Sequence, residues 1–214
     1  MLTDAMKKPL TIAVAKGYLW KEAQSKLEDL GVEFEDDLDS SRRLYHYDKS
    51  EKLKVLMVRS WDVPVYVEEG AADIGIVGKD VLIEQSPRCL ELLDLQFGGC
   101  SLVLAGPKGC QKSELTHHIK VATKYTESTQ RYFDAMGLNI SLIKLYGAIE
   151  LAPTTGISQY ICDLTATGTT LKENGLDIMD TLYSSTARLI ANPISMKRRY
   201  DDICRFQEAL SALL

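Results

Sequence analysis

Residues 160–175 read YICDLTATGTTLKENG, and the chain changes character twice within this stretch. An apolar run, 160–162, is typical of a buried strand, a hydroxyl-rich turn follows it, and a helix-like segment, 171–174, closes at Gly175. Backbone N–H groups at such a helix start are unpaired and converge, and the helix dipole favours an anion there. The pattern predicts an α/β fold with a sugar-phosphate loop. An ordinary helix cap with incidental threonines explains the same letters, and the stretch alone does not separate the two.

Three features inside the turn favour a ligand. Thr165, Thr167, Thr169 and Thr170 supply hydroxyl donors. Gly168 lets the backbone come close to a bound molecule, because it has no side chain. Asp163 ends the apolar run, so its carboxylate is placed to accept hydrogen bonds from sugar hydroxyls.

Outside this stretch, apolar runs of strand length alternate with helical patterns over the whole chain, as in α/β proteins with largely parallel sheets. Gly98-Gly99 and Asn174-Gly175 interrupt the pattern, and both suit crossings between two lobes. In that arrangement the C-terminal segment returns to complete the first lobe; a single lobe is the alternative. Ser195 is expected to cap a final helix.

Composition excludes several classes of protein. The 214 residues carry a net charge of −5, from 25 basic and 30 acidic side chains, which argues against general binding to nucleic acid or to an anionic membrane. Five cysteines without a C-x-x-C pair are typical of a reducing compartment. The start shows no secretory pattern, and no apolar run is long enough to span a bilayer. We therefore expect a cytoplasmic enzyme or binding protein.

Cationic side chains follow two other strand-like runs. Lys16-Gly17 comes directly after an apolar run, where α/β folds bind ligands, and suits a phosphate or pyrophosphate. Arg59-Ser60 follows another run, and the guanidinium fork matches phosphate oxygens. Arg42 and Arg43 add positive charge. A solvated turn lysine, and surface ion pairs of Arg42 and Arg43 with Asp36, Asp37 or Asp39, are the alternatives.

Glu150 is a carboxylate within the apolar stretch 147–153, and an unpaired carboxylate is unfavourable in such surroundings. We therefore expect it to face a polar site, a metal or a cation. Together with Asp163 it gives two acids that could hold ribose hydroxyls or a ligand that carries Mg²⁺.

Several segments in order resemble the ATP phosphoribosyltransferase family of histidine biosynthesis, in its short form. The most specific are YGAIELAP (146–153) and DLTATGTTL (163–171), which ends in NGL (174–176); IAVAKG (12–17), RSWDVP (59–64), GAADIGIVGKD (70–80) and VATKY (121–125) support them. The similarity runs through nearly the whole chain.

The resemblance implies a two-lobed, periplasmic-binding-protein-like (type II) fold, in which each lobe has a mixed, mostly parallel sheet flanked by helices. Residues 1–97 and 177–214 would form lobe I on the ATP and pyrophosphate side, and 98–176 would form lobe II with the loop for phosphoribosyl pyrophosphate (PRPP). It also implies a Mg²⁺-dependent reaction, in which N1 of the ATP adenine displaces pyrophosphate from C1 of PRPP.

Residue roles follow from the same resemblance. Arg59, Lys16 and Arg43 would be catalytic, and ATP would be bound by Lys16, Gly17, Arg42, Arg43, Arg59 and Ser60. PRPP would be bound by Glu150, Asp163, Leu164, Thr165, Ala166, Thr167, Gly168, Thr169 and Thr170. Mg²⁺ is expected to be bound to the substrate, near Glu150 and Asp163.

The resemblance also implies a partner. The chain ends at Leu214, without room for the histidine-binding domain of long-form members. Short-form enzymes assemble with a subunit similar to histidyl-tRNA synthetase, so we expect a hetero-oligomer in which histidine inhibition resides largely in that partner. A non-catalytic ligand-binding or sensor module of the same fold is the rival function, and a scaffold without activity is a third possibility.

Overall fold

The computed structural model describes residues 8–35 and 37–214. It divides into two compact units. Unit 1 contains the chain up to Leu82 together with Ser86–Gly98 and Thr186–Leu214, and unit 2 contains Ile83–Gln85 and Gly99–Ser185. Of the expected ion-pair partners of Arg42 and Arg43, Asp36 lies outside the described residues.

Strands and helices alternate along the described residues, as the sequence predicts. The strands are β1 (Leu10–Ala15), β2 (Tyr45–Tyr47), β3 (Leu53–Val58), β4 (Ile74–Gly78), β5 (Leu90–Asp94), β6 (Cys100–Pro107), β7 (Ile119–Thr123), β8 (Ile140–Lys144), β9 (Tyr160–Thr165), β10 (Leu176–Ser185) and β11 (Ala187–Ala191). The α-helices are α1 (Tyr18–Asp29), α2 (Val63–Glu68), α3 (Lys79–Gln85), α4 (Thr126–Ala135), α5 (Leu151–Thr154), α6 (Thr169–Glu173), α7 (Pro193–Arg198) and α8 (Tyr200–Ser211).

Unit 1 is built on a six-stranded sheet in the order β2-β3-β1-β4-β11-β5. β1 runs parallel to β3 and β4, whereas β11 runs antiparallel to β4 and to β5. Four strands, β3, β1, β4 and β5, therefore point the same way, which confirms the expected mixed, mostly parallel sheet. Trp20, Leu27 and Phe206 are fully buried against it, so α1 and α8 each present one apolar stripe to the sheet.

Unit 2 has a five-stranded sheet in the order β10-β6-β9-β7-β8. β9, β7 and β8 are parallel neighbours, and β6 runs antiparallel to β9 and β10. The carboxyl ends of β9, β7 and β8 therefore meet at one edge, with Thr123 opposite both Cys162 and Lys144. Ligands of α/β folds bind at such an edge.

The return of the chain to unit 1 lies later than we expected. Residues 177–185 belong to unit 2, because β10 pairs along β6 from Leu176 opposite Pro107 to Ser185 opposite Cys100. The chain crosses between Gly98 and Gly99 and again between Ser185 and Thr186, while Asn174-Gly175 only ends α6.

The expected cap of the final helix is also wrong. Asn192, not Ser195, caps α7, since its side-chain oxygen accepts the N–H groups of Ile194 at 2.8 Å and Ser195 at 2.9 Å. A second helix, α8, then follows α7 directly.

Candidate active site

The threonine-rich turn joins β9 to α6 at the carboxyl edge of the unit 2 sheet. Gly168 is the N-cap of α6 and has φ +75°, a left-handed conformation that favours glycine. Gly168 has no side chain with which to cap α6, and the Thr169 N–H donates to the Thr167 hydroxyl at 3.4 Å. The next two N–H groups of the first turn, those of Thr170 and Leu171, have no hydrogen-bond partner among the described residues and are left for solvent or a ligand. Leu171 packs into the core behind the turn, and Thr167, Thr169 and Thr170 are exposed.

Threonine hydroxyls fix the shape of this turn. The Gly168 N–H donates to Thr165 Oγ1 at 2.7 Å, which tightens the chain where the strand ends. The Thr167 and Thr169 hydroxyls lie 2.9 Å apart in a hydrogen bond. One of the two donates its hydrogen to the other, so one hydroxyl of this exposed pair keeps an O–H that can donate to an anion. Leu164 lies in β9, where its N–H donates to Asp163 Oδ1 at 2.8 Å, and Ala166 is exposed in the turn that follows.

The two predicted acids lie close together beside the turn. Asp163 is near the end of β9, and Glu150 precedes α5; both are half-buried. The pKa of Asp163 is raised to about 6. Burial is the main cause and the negative charge of Glu150 adds to it, whereas the Leu164 N–H and the Lys124 ammonium act in the opposite direction. Asp163 is thus a carboxyl whose surroundings disfavour its charge, as at many functional sites.

A second strand-to-helix junction lies at the same edge, between β7 and α4, and its helix start is occupied. The carboxylate of Glu84 accepts the Glu127 N–H at 2.8 Å and the Ser128 N–H at 2.9 Å. It also accepts the Ser128 hydroxyl at 2.7 Å, and Glu84 is only 7% exposed. A side chain of this chain therefore fills the anion position at α4.

In unit 1, the predicted cations follow neighbouring strands. Ala15 pairs with Val58 in the parallel β1–β3 ladder, so Lys16 and Arg59 come next to each other at the carboxyl edge of the sheet. The Arg59 side chain is exposed and makes no hydrogen bond or ion pair with any described residue. Ser60 adjoins it, before α2. Arg59 is thus free to reach a ligand.

The segment 37–43 lies against the Lys16-Gly17 turn. Lys16 Nζ donates to the Ser41 carbonyl at 2.7 Å, and the Gly17 N–H donates to Asp39 Oδ1 at 3.1 Å. These contacts bring Arg42 and Arg43 to the same part of unit 1. The Arg42 guanidinium is exposed and has no partner among the described residues, so neither Asp37 nor Asp39 forms the expected ion pair with it.

The structure adds three residues that the sequence analysis did not single out for the site: Asp39, Glu84 and Lys124. Lys124 lies in the VATKY motif, directly after a strand-like run. This position in the sequence would have indicated that it lies at the ligand-binding edge of the sheet. Glu84 and Asp39 are far along the chain from the groups they contact, and a sequence pattern offers no indication of such pairs.

The described residues form neither a metal-binding cluster nor a membrane-spanning helix. No group of three or more His, Cys, Asp or Glu side chains in the described parts of the chain could hold a metal ion. Among residues 8–35 and 37–214, no helix combines the length and the apolar character that crossing a bilayer requires.

The fold and the turn define a class first: a type II periplasmic-binding-protein-like fold with an open strand-to-helix turn. A family model described as HisG: ATP phosphoribosyltransferase matches residues 59–212. The chain belongs to this family, as its resemblance in sequence implies.

Individual relatives agree. The ATP phosphoribosyltransferase of Citrifermentans bemidjiense is 42% identical over 204 residues, covering 94% of this chain and 96% of its own length. That of Rubrobacter xylanophilus is 46% identical over 199 residues, with 91% of each covered.

Two solved structures bear on the fold. The ATP phosphoribosyl transferase (HisG:HisZ) complex from Thermotoga maritima matches with a TM-score of 0.82 and 36% identity, over 95% of this chain and 97% of that one. The aliphatic sulphonate binding protein SsuA of Escherichia coli matches with a TM-score of 0.63 at 16% identity, over 97% of this chain and 72% of that one. The second match concerns the fold alone and confirms the type II fold.

Proposed function

We propose that this chain is an ATP phosphoribosyltransferase that performs the first step of histidine biosynthesis. N1 of the ATP adenine forms a bond to C1 of PRPP, the bond from C1 to the pyrophosphate oxygen breaks, and the bonding electron pair leaves with pyrophosphate. The observation that carries the proposal is the open β9–α6 turn, with its uncapped helix start and exposed threonines, in a chain of the HisG family.

The turn in unit 2 would bind PRPP. Its free N–H groups and hydroxyls suit the 5′-phosphate, and Glu150 and Asp163 suit the ribose hydroxyls. Pinning both ends of the sugar fixes the direction of C1 for in-line attack, which accelerates the reaction through orientation.

The cations of unit 1 would bind the polyphosphates. Lys16 and Arg59 lie side by side at one sheet edge, with Gly17 and Ser60 in the same turns and Arg42 and Arg43 on the segment against Lys16. Adenine N1 is unprotonated near neutral pH, so no base is required. The difficult requirement is to balance charge that grows on the departing pyrophosphate, which an arginine fork does well.

We propose that Mg²⁺ enters on the pyrophosphate oxygens of PRPP, near Glu150 and Asp163, and is not held by a resident protein site. The described residues contain no three-ligand cluster, and the surroundings of Asp163 disfavour its charge. Mg²⁺ commonly binds through substrate phosphates in this way. It would offset negative charge on the leaving group.

A partner subunit and a location complete the proposal. The Thermotoga maritima relative is a HisG:HisZ complex, so we propose a hetero-oligomer with a HisZ-type partner, similar to histidyl-tRNA synthetase, that carries most of the response to histidine. We also propose that the protein works in the cytoplasm, where ATP and PRPP are made.

The test is product formation from ATP, PRPP and Mg²⁺, read by mass spectrometry with pyrophosphatase added to draw the reaction forward. We expect phosphoribosyl-ATP, and none when PRPP is omitted. The assay is run with the chain alone and with a HisZ-type partner. Absence of product in both would contradict the proposal and favour the ligand-binding alternative.

Arg59→Ala tests the assigned division of roles. We expect kcat to fall about 100-fold while the KM for PRPP changes less than about threefold, because the guanidinium acts on charge that develops only in the transition state. Steady-state kinetics with both substrates varied provide the measurement. Arg205→Ala removes another exposed arginine, on α8, and should leave both constants unchanged. A raised KM with normal kcat would assign Arg59 to ground-state binding only.

A further inference from the structure

Lys124 stands directly after β7, at the edge of the unit 2 sheet where the threonine turn lies. β7 is the central strand of the three parallel neighbours β9, β7 and β8. Thr123 pairs with Cys162 on one side and with Lys144 on the other. Lys124 is therefore the neighbour of Asp163 by register, one strand spacing away, which is about 5 Å between backbones.

Two negatively charged groups and one positively charged group surround this position. Asp163 and Glu150 bring two carboxylates, and the negative charge of Glu150 acts on Asp163. Lys124 is half-buried, and its ammonium acts on Asp163 with the opposite sign. The other cation at this edge, Lys144, lies with its ammonium 5.7 Å from the centre of the exposed Tyr146 ring. Lys124 is thus a cation of this edge that lies beside Asp163 by register and whose charge acts on that carboxyl.

Two half-buried carboxylates repel each other, and a nearby ammonium reduces this repulsion. A lysine is suited to this task because its charge is compact and its stem is flexible. A sugar with adjacent hydroxyls offers one donor from each hydroxyl, and two neighbouring carboxylates provide acceptors for both. A cation beside the acids therefore serves sugar binding even where it does not touch the sugar.

We propose that Lys124 is a positioning residue of the PRPP site, which balances Glu150 and Asp163 so that both carboxylates face the ribose hydroxyls. This inference rests on the proposed function and adds a residue to its PRPP site. It predicts a specific pattern: loss of Lys124 weakens PRPP binding through Asp163, and leaves ATP binding and the chemical step nearly unchanged.

The test is a double-mutant cycle between Lys124→Met and Asp163→Asn. We expect Lys124→Met alone to raise the KM for PRPP about tenfold, with kcat and the KM for ATP within about twofold of the unchanged protein. In the Asp163→Asn background, the same change should add less than about twofold, because the neutral amide no longer needs a balancing cation. Lys124→Arg should recover most of the lost affinity.

Matched controls separate this role from a structural one. Lys120 is an exposed lysine in β7 itself, so Lys120→Met removes equal charge from the same strand and should leave the KM for PRPP unchanged. Thermal unfolding checks that each variant folds. If Lys124→Met does not fold, Lys124→Gln and Lys124→Arg carry the comparison.

Three outcomes would overturn the inference. The first is an unchanged KM for PRPP in Lys124→Met, and the second is a KM in the double variant equal to the product of the two single effects. The third is a KM for PRPP in Lys124→Arg as high as in Lys124→Met. Multiplying effects would mean that Lys124 binds PRPP directly. Calorimetric titration with PRPP measures the same affinities without turnover. A wild-type chain without product would count against the proposed reaction, whereas a Lys124→Met chain equal to an active wild type counts only against the role of Lys124.

Discussion

The two strand-to-helix junctions of unit 2, β7–α4 and β9–α6, share an edge of one sheet and differ in what occupies the helix start. At α4 the carboxylate of Glu84 accepts two backbone N–H groups and a hydroxyl. At α6 the N-cap is Gly168, the local threonines bond within the turn itself, and no described acidic side chain accepts the N–H groups of the first turn. A helix start that the chain fills with its own anion is structural, whereas one that it shapes and leaves open is available to a substrate phosphate.

Charge reinforces this difference. Glu84 is buried where two backbone N–H groups and a hydroxyl converge on its side-chain oxygens, so these oxygens have donors within the protein. Asp163, beside the open junction, has one backbone donor and a second carboxylate for a neighbour, and its pKa is raised to about 6 mainly by burial. We call β7–α4 the closed junction and β9–α6 the open junction. The closed junction contributes to stability, whereas the open one keeps an unfavourable charge on Asp163 that hydrogen bonds from a ligand can offset.

We expect the largest effect, a loss of PRPP affinity, from placing a carboxylate side chain at the open junction. Thr167 is exposed and its hydroxyl accepts the Thr169 N–H at 3.4 Å, so Thr167→Asp puts a carboxylate at the start of α6. We expect PRPP affinity to fall at least about 100-fold through like-charge repulsion, with the free energy of unfolding changed by less than about 0.5 kcal/mol. Calorimetric titration with PRPP measures the affinity.

Thr167→Asn is the matched control, since it has the same shape without the charge. A similar loss of affinity in both variants would show that the threonine hydroxyl matters and that occupation of the junction by an anion does not.

At the closed junction, a substitution of Glu84 should lower the free energy of unfolding. Glu84→Gln places an amide N–H against the donors of Ser128, so a buried group loses its partner. We expect the free energy of unfolding to fall by about 3 kcal/mol, measured by urea denaturation. Glu127→Gln changes an exposed acid in the first turn of the same helix and should shift it by less than about 0.5 kcal/mol. Equal effects of the two changes would refute the assigned role of Glu84.

Sequence patterns predicted much of this architecture, because strand length and helical spacing are local properties. The predicted alternation of apolar, strand-length runs with helical patterns is confirmed along the described residues. The pairing of β10 with β6 was missed, since antiparallel pairing of residues 176–185 with 100–107 depends on contacts distant in the chain.

The same limit applies to the site. The β9–α6 turn is continuous in sequence and could be recognised from its threonines and Gly168. The occupation of α4 by Glu84 joins residues about forty positions apart, so no local pattern contains it. The roles of the predicted site residues stay predictions.

Asp163→Asn should have a smaller effect on the free energy of unfolding, and in the opposite direction, since it should stabilise the protein at neutral pH. Its pKa is about 6 when folded, against an ordinary value of 3.8, so folding favours the neutral acid. Below about pH 4 the carboxyl is neutral in both states, and Asp163→Asn should match the wild type in stability. As the pH rises through 6, the wild type loses the contribution of the neutral acid, and the variant should become more stable by about 2 kcal/mol. Urea denaturation at pH 4, 5 and 7.5 provides the measurement.

The gain at pH 7.5 should accompany weaker PRPP binding, because the amide is a poorer acceptor for sugar hydroxyls than a carboxylate. A variant that is less stable than the wild type at pH 7.5 would show that the ionised Asp163 is well accommodated, and the contrast with Glu84 would then disappear.

The smallest effect concerns the shape of the open junction. Gly168 has φ +75°, and a Cβ there would lie 3.3 Å from Ile178 Cδ1. Gly168→Ala should therefore lower the free energy of unfolding by about 1 kcal/mol, as a non-glycine residue is strained in the left-handed region. Gly168→Asn adds a larger side chain but tolerates that conformation better, so it should lose less than alanine does if backbone strain dominates. A greater loss with asparagine would instead assign the effect to crowding against Ile178, and the turn would then be shaped by packing on β10 rather than by its own backbone.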